Sequence, residues 1–253
     1  MNVSLYQAAA ALNANSRWQE VISENLASSS VPGFKKQELS VAAVQAGLLP
    51  ASSLNSPNGP QFFSMPHASA STSFVSGDFQ FTGNKNDMAI EGKGFFQVRL
   101  PNGSFASTRN GEFQLNPKGQ LITKEGYAVM GQGGPIQLDP SNADPISIAS
   151  TGEVSQGANL VGKLKINEFN NPALLTQISG GYFIAGNNPN LHPNAGPVTS
   201  TVRQGYIETS NTSVVREMAN MMTAMRMFEA NQHVIQIQDD RLGKVISELG
   251  GTN

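Results

Sequence analysis

Apolar residues recur with helical spacing only near the two ends of this chain, and the stretch between them follows other rules. From about Ser4 to Ala27, Leu5, Ala8, Leu12, Ile22 and Leu26 fall on one seam with alternating steps of three and four, the spacing of an amphipathic helix. Asn15 and Gln19 share that seam, so its stripe is only partly apolar. Ser28, Ser29, Ser30, Pro32 and Gly33 then break the period. A second, stronger helix is predicted over Val214 to Leu249, preceded by the cap-forming run Ser210 to Ser213 and stopped by Gly250 and Gly251. Its seam runs Val214, Met218, Met221, Met225, Phe228, Gln232, Ile235, Asp239, Leu242, Ile246 and Leu249, interrupted only by Gln232 and Asp239. A step averaging about 3.5 residues over this length predicts coiled-coil packing.

Between the helices the pattern changes twice. From about Lys36 to Asn86, Ser, Ala, Pro, Asn and Gly dominate and no period persists, which predicts an extended connector ordered by its neighbours. Within it only Ser73 to Phe81 alternates enough for a strand, anchored by Phe74, Phe79 and Phe81. From about Asp87 to Gln204 the period is two: Phe96, Val98 and Leu100 alternate with Gln97 and Arg99, and Phe113 and Leu115 flank Gln114. Turn signals recur at Asn102-Gly103, Asn110-Gly111, Lys118-Gly119 and Glu125-Gly126. Asn-Gly is the strongest short hairpin signal, since a type I′ turn needs positive φ at both central residues. The pattern predicts a β-meander with one wet face, and further short strands at Pro145 to Ile148, Lys163 to Phe169 and Tyr182 to Ala185.

Burying an aliphatic or Met side chain contributes about 1.5–3 kcal/mol, so a helix carrying the second seam does not stay alone in water. The first helix is the only other long one predicted and shares its step. The two are therefore expected to pair as a coiled coil, bringing the chain ends together with the β-region inserted between them. The fold class read from the sequence is α+β. Its parts are a helix and turn at 1–35, an extended connector at 36–86, a β-rich middle domain at 87–205 and the C-terminal helix at 206–253. The pairing is unequal, because the first stripe is short and alanine-rich whereas Val215, Met222, Met227, Val234, Ile237 and Val245 make the second helix apolar beyond one seam. Surplus apolar surface on a paired helix points to a subunit interface, and so to a polymer or ring.

Composition narrows the function further. Only 13% of the 253 residues are charged, against about 25% in ordinary soluble domains, while Gly (25) and Pro (14) fit turns and extended surface. A formal charge of -2 and no basic stripe argue against nucleic acid. Lys35 and Lys36 are the densest basic point and read as a solvated loop. Without cysteine there is no disulfide, thiolate zinc site or cysteine nucleophile. Met1 to Ala14 lacks the features of a secretory signal, and no apolar run reaches the roughly 18 residues of a membrane span. If the protein leaves the cytoplasm, it is expected to do so by a route that needs neither.

A search for chemistry returns little. His67, His192 and His233 are far apart and match no metal spacing. Asp239 and Asp240 are adjacent on a helix and so point about 100° apart, away from a shared site. Gly131 to Gly134 and Gly92-Lys93-Gly94 lack the context of a phosphate loop and read as turns. Met218, Met221, Met222, Met225 and Met227 fit adaptable packing better than a soft-metal site, since neither His nor Cys joins them. No cofactor, metal, catalytic residue or small-molecule substrate is expected.

Four stretches in order nevertheless resemble one family along nearly the whole chain. Ser23-Glu24-Asn25-Leu26-Ala27 through Pro32-Gly33-Phe34-Lys35 is similar to the N-N-L-A-N-x-x-T-x-G-F-K signature of flagellar hook-basal body rod proteins, departing at Glu24, Ser28 and Ser30. Asp87 to Phe96 resembles that family's D-x-A-I-x-G-x-G-F-F. Thr108-Arg109-Asn110-Gly111 to Leu121 resembles T-R-x-G-x-F-x-x-x-x-x-G-Q-L. Gln204 to Asn211, followed by Met218, Met221, Met222, Arg226 and Glu229, resembles Q-G-x-x-E-x-S-N and the terminal helix. Gly131 to Ile136 looks more like the proximal-rod branch, and Gly94 to Val98 with Gln204 to Asn211 more like the distal-rod branch.

The resemblance implies a non-catalytic rod subunit of the bacterial flagellum basal body, exported unfolded by the flagellar type III apparatus. It would assemble across the periplasm with its own copies and other rod proteins into a helical tube that carries torque from motor to hook. The residues expected at the assembly interface are Leu5, Leu12, Ile22, Asn25, Leu26, Ala27, Pro32, Gly33, Phe34 and Lys35 at one end. At the other they are Val214, Met218, Met221, Met222, Met225, Phe228, Ile235, Leu242 and Ile246. The rival reading is a cell-wall-directed glycan-binding or hydrolytic β-domain. For it the available acids are Asp87, Glu91, Glu112, Glu125 and Asp139, at or near predicted turns, and Trp18 is spent on the first helix.

Overall fold

A computed structural model describes residues 3–48, 62–142, 144–186, 193 and 199–250. They form two compact units. Unit 1 draws on Met1–Ala27, Gln37–Ser71 and Ser213–Asn253, and unit 2 on Ser28–Lys36 and Thr72–Thr212.

Unit 1 contains α1 (Val3–Ala27), the paired strands β1 (Gln37–Leu48) and β2 (Phe62–Thr72), and α2 (Val214–Gly250). The stretch expected to lack a strand period therefore carries a long two-stranded ribbon, with Val41 and Val44 exposed on it. Its Ser, Ala and Thr residues are compatible with pleated backbone but give no alternation in hydropathy by which to read it. On α1 the inward face follows the expected seam, with Ala8, Asn15 and Ile22 buried.

On α2 the expected seam is kept only in part. Val214, Met218 and Met225 are exposed, whereas Glu217 and Ala224 are buried and Met221, Phe228 and Ile235 are half-buried. The two helices do lie against each other within the unit. Their inward positions, however, mix polar and small residues with apolar ones and lack the continuous apolar knobs of a coiled coil. The α+β class stands and the coiled-coil pairing does not. Apolar residues run most of the way round α2, so several stripes share the same period and hydropathy alone does not choose among them.

Unit 2 holds sixteen short strands among its described residues: β3 (Phe79–Phe81), β4 (Met88–Glu91), β5 (Phe95–Arg99), β6 (Phe105–Thr108), β7 (Phe113–Leu115), β8 (Leu121–Thr123), β9 (Ala128–Gly131), β10 (Gly134–Pro135), β11 (Ile146–Ile148), β12 (Glu153–Gln156), β13 (Asn159–Lys163), β14 (Ile166–Asn167), β15 (Thr176–Ile178), β16 (Tyr182–Ile184), β17 (Thr201–Gln204) and β18 (Tyr206–Glu208). Nine of them form a sheet in the order β15-β16-β6-β5-β9-β8-β7, with β10 on β9 and β14 on β5. The others pair as β11-β12-β13, β17-β4 and β18-β3. The alternating stretch from Ser73 keeps strand geometry only at β3.

Strand β5 is covered on both sides, which corrects the expected wet face. Phe96 and Val98 point into the main core with Met88, Ile90, Val129 and Leu164. Phe95 points the other way into an aromatic group with Phe169 and Phe183, and Phe74 meets it edge-on at 5.8 Å. Even Gln97 is buried.

Three of the four expected turns are present, at Asn102-Gly103, Lys118-Gly119 and Glu125-Gly126, but not as type I′, and one more lies at Ala149–Glu153. At Leu100–Ser104, Asn116–Gln120, Thr123–Tyr127 and Ala149–Glu153 the same pattern repeats. The N–H of the fourth residue donates to the carbonyl of the first at 2.9 Å, and the first N–H to the fifth carbonyl at 2.9 to 3.0 Å. The fourth residue is always glycine, with φ between 77° and 88°. Among the described residues no non-glycine residue has positive φ, so these are type I turns closed by a glycine bulge. Asn110-Gly111 is not a hairpin at all. Gly111 is buried where any side chain would overlap the Met88 carbonyl, and its own carbonyl accepts from Met88 N at 3.0 Å.

Candidate functional site

The family-like stretches, scattered along the sequence, meet in two places. The first is the chain reversal after α1. Asn25, 2% exposed, uses its side-chain amide as a substitute strand: Nδ2 donates to Gln37 O and Oδ1 accepts from Gln37 N, both at 2.8 Å. It thereby ties the end of α1 to the start of β1.

The second is a buried ionic knot in unit 2. Gly33 turns the chain with φ 68°, close against the Arg109 and Asn110 backbone, and its N–H donates to Glu208 O at 2.7 Å. That places Phe34 in the interior and sends Lys35 inward. Lys35 Nζ donates to Glu208 Oε1 at 2.5 Å and to Val75 O at 2.9 Å. Gly77 N–H donates to the same carboxylate oxygen at 2.9 Å. Arg109 enters from the end of β6: Nη1 donates to Glu208 Oε2 at 3.3 Å and to Ile90 O at 3.2 Å, and Nη2 donates to Gly92 O at 2.7 Å. Its guanidinium lies 4.8 Å from the centre of the Phe95 ring. Lys35 and Glu208 are both 0% exposed.

Two cations thus share one carboxylate in a dry interior. Burial pushes both the Lys35 ammonium and the Arg109 guanidinium down from their ordinary values, against the pull of Glu208. The carbonyls of Val75, Ile90 and Gly92 take up the surplus positive charge. Glu168 adds to the field at Arg109. Burial pushes the Glu168 carboxyl up, but hydrogen bonds from Ser200 and Thr199 outweigh it and leave the group below the usual carboxylate range.

The same stretches lock the surrounding strands. Gly205 N donates to Asp87 O at 2.8 Å, and Gln204 Oε1 accepts from Ile148 N at 3.1 Å while its Nε2 donates to Lys85 O and Ile146 O. The knot corrects the reading of Lys35 as a solvated loop residue. Arg109 and Glu208 were not singled out from the sequence, because residues this far apart pair only through the topology. The available signal was that each sits inside a family-like motif.

The expected interface residues divide by burial. Ile22, Asn25, Gly33, Phe34 and Lys35 are interior; Leu12, Leu26, Pro32, Met221, Phe228 and Ile235 are half-buried; Ala27, Val214, Met218, Met222 and Met225 are exposed. The side chains of Leu5, Leu242 and Ile246 lie outside the described residues.

The acids of the rival reading do not converge. Glu112 pairs with Lys124, Glu91 lies 3.8 Å from Arg203, Glu125 accepts from the Tyr182 hydroxyl, and Asp87 takes hydrogen bonds from Thr82 and Asn84. Among the described residues no group of three or more His, Cys, Asp or Glu is placed to hold a metal ion.

The chain is similar to known proteins along nearly its whole length. Residues 89–156 match the flagellar hook protein FlgE/F/G D1 domain, and residues 203–248 match the flagellar basal body rod FlgEFG protein C-terminal domain. The flagellar basal-body rod protein FlgG of Buchnera aphidicola subsp. Baizongia pistaciae is 32% identical, across 96% of this chain and 98% of that protein. The flagellar basal-body rod protein FlgF of Caulobacter vibrioides is 31% identical across 92% of each chain, and FlgF of Mesorhizobium japonicum is 30% identical across 99% of each. Relatives bearing either name align at nearly equal identity, and both align almost end to end. By these matches the chain belongs to the flagellar basal-body rod protein family.

Proposed function

We propose that this chain is a structural, non-catalytic subunit of the bacterial flagellar basal-body rod, polymerising into a helical tube that carries torque from motor to hook. The observation that carries the reading is the outward side of α2. Val215 is 79% exposed, Met222 57% and Met218 51%, on a helix of a chain that aligns along its length with rod proteins. Apolar surface of this kind is a site of association, and thioethers adapt to the slightly different neighbours of a helical lattice.

Within this reading, Val214, Met218, Met222 and Met225 face neighbouring subunits. Asn25, Gly33, Phe34 and Lys35 hold the turn that aims the ends. The partners are further copies of the chain and other rod proteins, and delivery is by the flagellar type III export apparatus. Rod proteins act as structure, and the family gives no support to a glycan-directed activity. The test is truncation in cells: a chain lacking α1 (residues 1–27) or α2 (residues 214–253) keeps the knot residues of unit 2 and should be made but build no rod. Normal rods from either truncated chain would refute the proposal.

A further inference from the structure

Unit 1 is discontinuous in sequence. Its three segments end at Ala27, run from Gln37 to Ser71 and begin again at Ser213, and the covalent chain passes through unit 2 between them. Three of those four joins lie within two residues of one hydrogen-bonded junction inside unit 2. Asn211 Oδ1 accepts from Lys36 N at 2.8 Å, and Asn211 Nδ2 donates to Ser73 O and to Val75 O, both at 2.9 Å. Ser73 N in turn donates to Lys36 O at 2.9 Å. One amide therefore spans the three stretches of backbone that continue into β1, out of β2 and into α2. Three residues earlier in the chain, Glu208 fastens Lys35 and Gly77 from the same stretches.

We infer that Asn211 is a positioning residue for assembly: it fixes the register in which the three stretches leave unit 2, so that α2 and the β1–β2 ribbon are delivered to unit 1 together. The physical reason is loop closure. Lys36 and Asn211 are 175 positions apart, and bringing such distant residues together costs entropy that grows with the logarithm of their separation. Once the junction has formed, the segments that build unit 1 start from one place, at a high effective concentration for one another. The amide is suited to this because it offers an acceptor and two donors in one plane; an aspartate keeps only acceptors and an alanine neither. The inference goes beyond the rod reading, and only its cellular test rests on that reading.

The peptide bond after Lys36 is a trypsin site adjoining the junction. In the purified full chain, Asn211→Ala should raise cleavage there at least tenfold, while the near-ultraviolet signal of the Tyr127–Tyr182 pair in unit 2 is unchanged. Equal cleavage rates with that signal intact would overturn the inference. Should Asn211→Ala unfold unit 2, Asn211→Asp, which keeps an acceptor for Lys36 N and loses the donors to Ser73 O and Val75 O, decides by a raised ratio. In a strain lacking the gene, wild type should restore swimming, Asn211→Ala should cut swimming-zone expansion at least tenfold, and Asn211→Asp should fall between them. Full swimming with Asn211→Ala overturns the role of the junction. A deletion strain that swims normally instead removes the rod reading, and leaves the cleavage result to judge the junction.

Discussion

Removing the charge from Glu208 leaves Lys35 and Arg109 buried without the carboxylate they share, and an uncompensated buried charge is among the costliest single changes a fold can suffer. Glu208→Gln should destabilise unit 2 by about 3–5 kcal/mol, read from urea unfolding of the purified chain; a loss under about 1 kcal/mol contradicts the knot as described. Glu168 gives a pH-dependent counterpart. Its folded pKa lies below the ordinary value of about 4.3, so its contribution is fully present above that value and is lost as pH falls through the folded one. Stability should therefore drop on the acid side, and Glu168→Gln should flatten that limb in unfolding curves taken at successive pH values. An unchanged limb would show that the Ser200 and Thr199 bonds do not hold the carboxylate. Neither Arg109 nor Glu208 was singled out from the sequence, and Lys35 was expected at the assembly interface and in a loop, not in a buried ion pair. Lys35 reads as solvent-facing when its only visible neighbour is Lys36, and nothing local says that Glu208 will fold back onto it.

At the scale of elements, α2 divides into an inward stripe and an outward one, and the two should respond oppositely to substitution. Ala224 is fully buried, so Ala224→Phe should overpack the unit and cost about 1–3 kcal/mol. Met222 is exposed, so Met222→Lys should leave the free chain within about 0.5 kcal/mol of wild type yet impair assembly. Thermal unfolding measures the first effect and electron-microscopic counts of complete basal bodies the second; intact assembly with Met222→Lys would move the interface to another face. The limits of both helices were legible because period, caps and glycine stops agree. The buried face of α2 was not, because Met, Val and Ile surround the helix. The turn type could have been read more closely. Pro101 and Pro117 precede the Asn-Gly and Lys-Gly pairs, and a proline with φ near -65° favours a type I turn that starts one residue earlier, with the proline as its second residue.

For the whole molecule, each of the four family-like stretches contributes to one buried knot. Gly33, the pair Ile90 and Gly92, Arg109 and Glu208 come from four different stretches and are hydrogen-bonded directly to one another. This explains why the order and spacing of the motifs carried the family reading even though their meeting place was invisible in the sequence. The central claim, that the chain is a structural subunit of the rod, is tested most directly by deleting its gene and imaging the flagellar basal bodies that remain. The account expects non-motile cells whose basal bodies stop before the hook, restored by the wild-type chain supplied in trans; complete hook-bearing basal bodies in the deletion strain would contradict it.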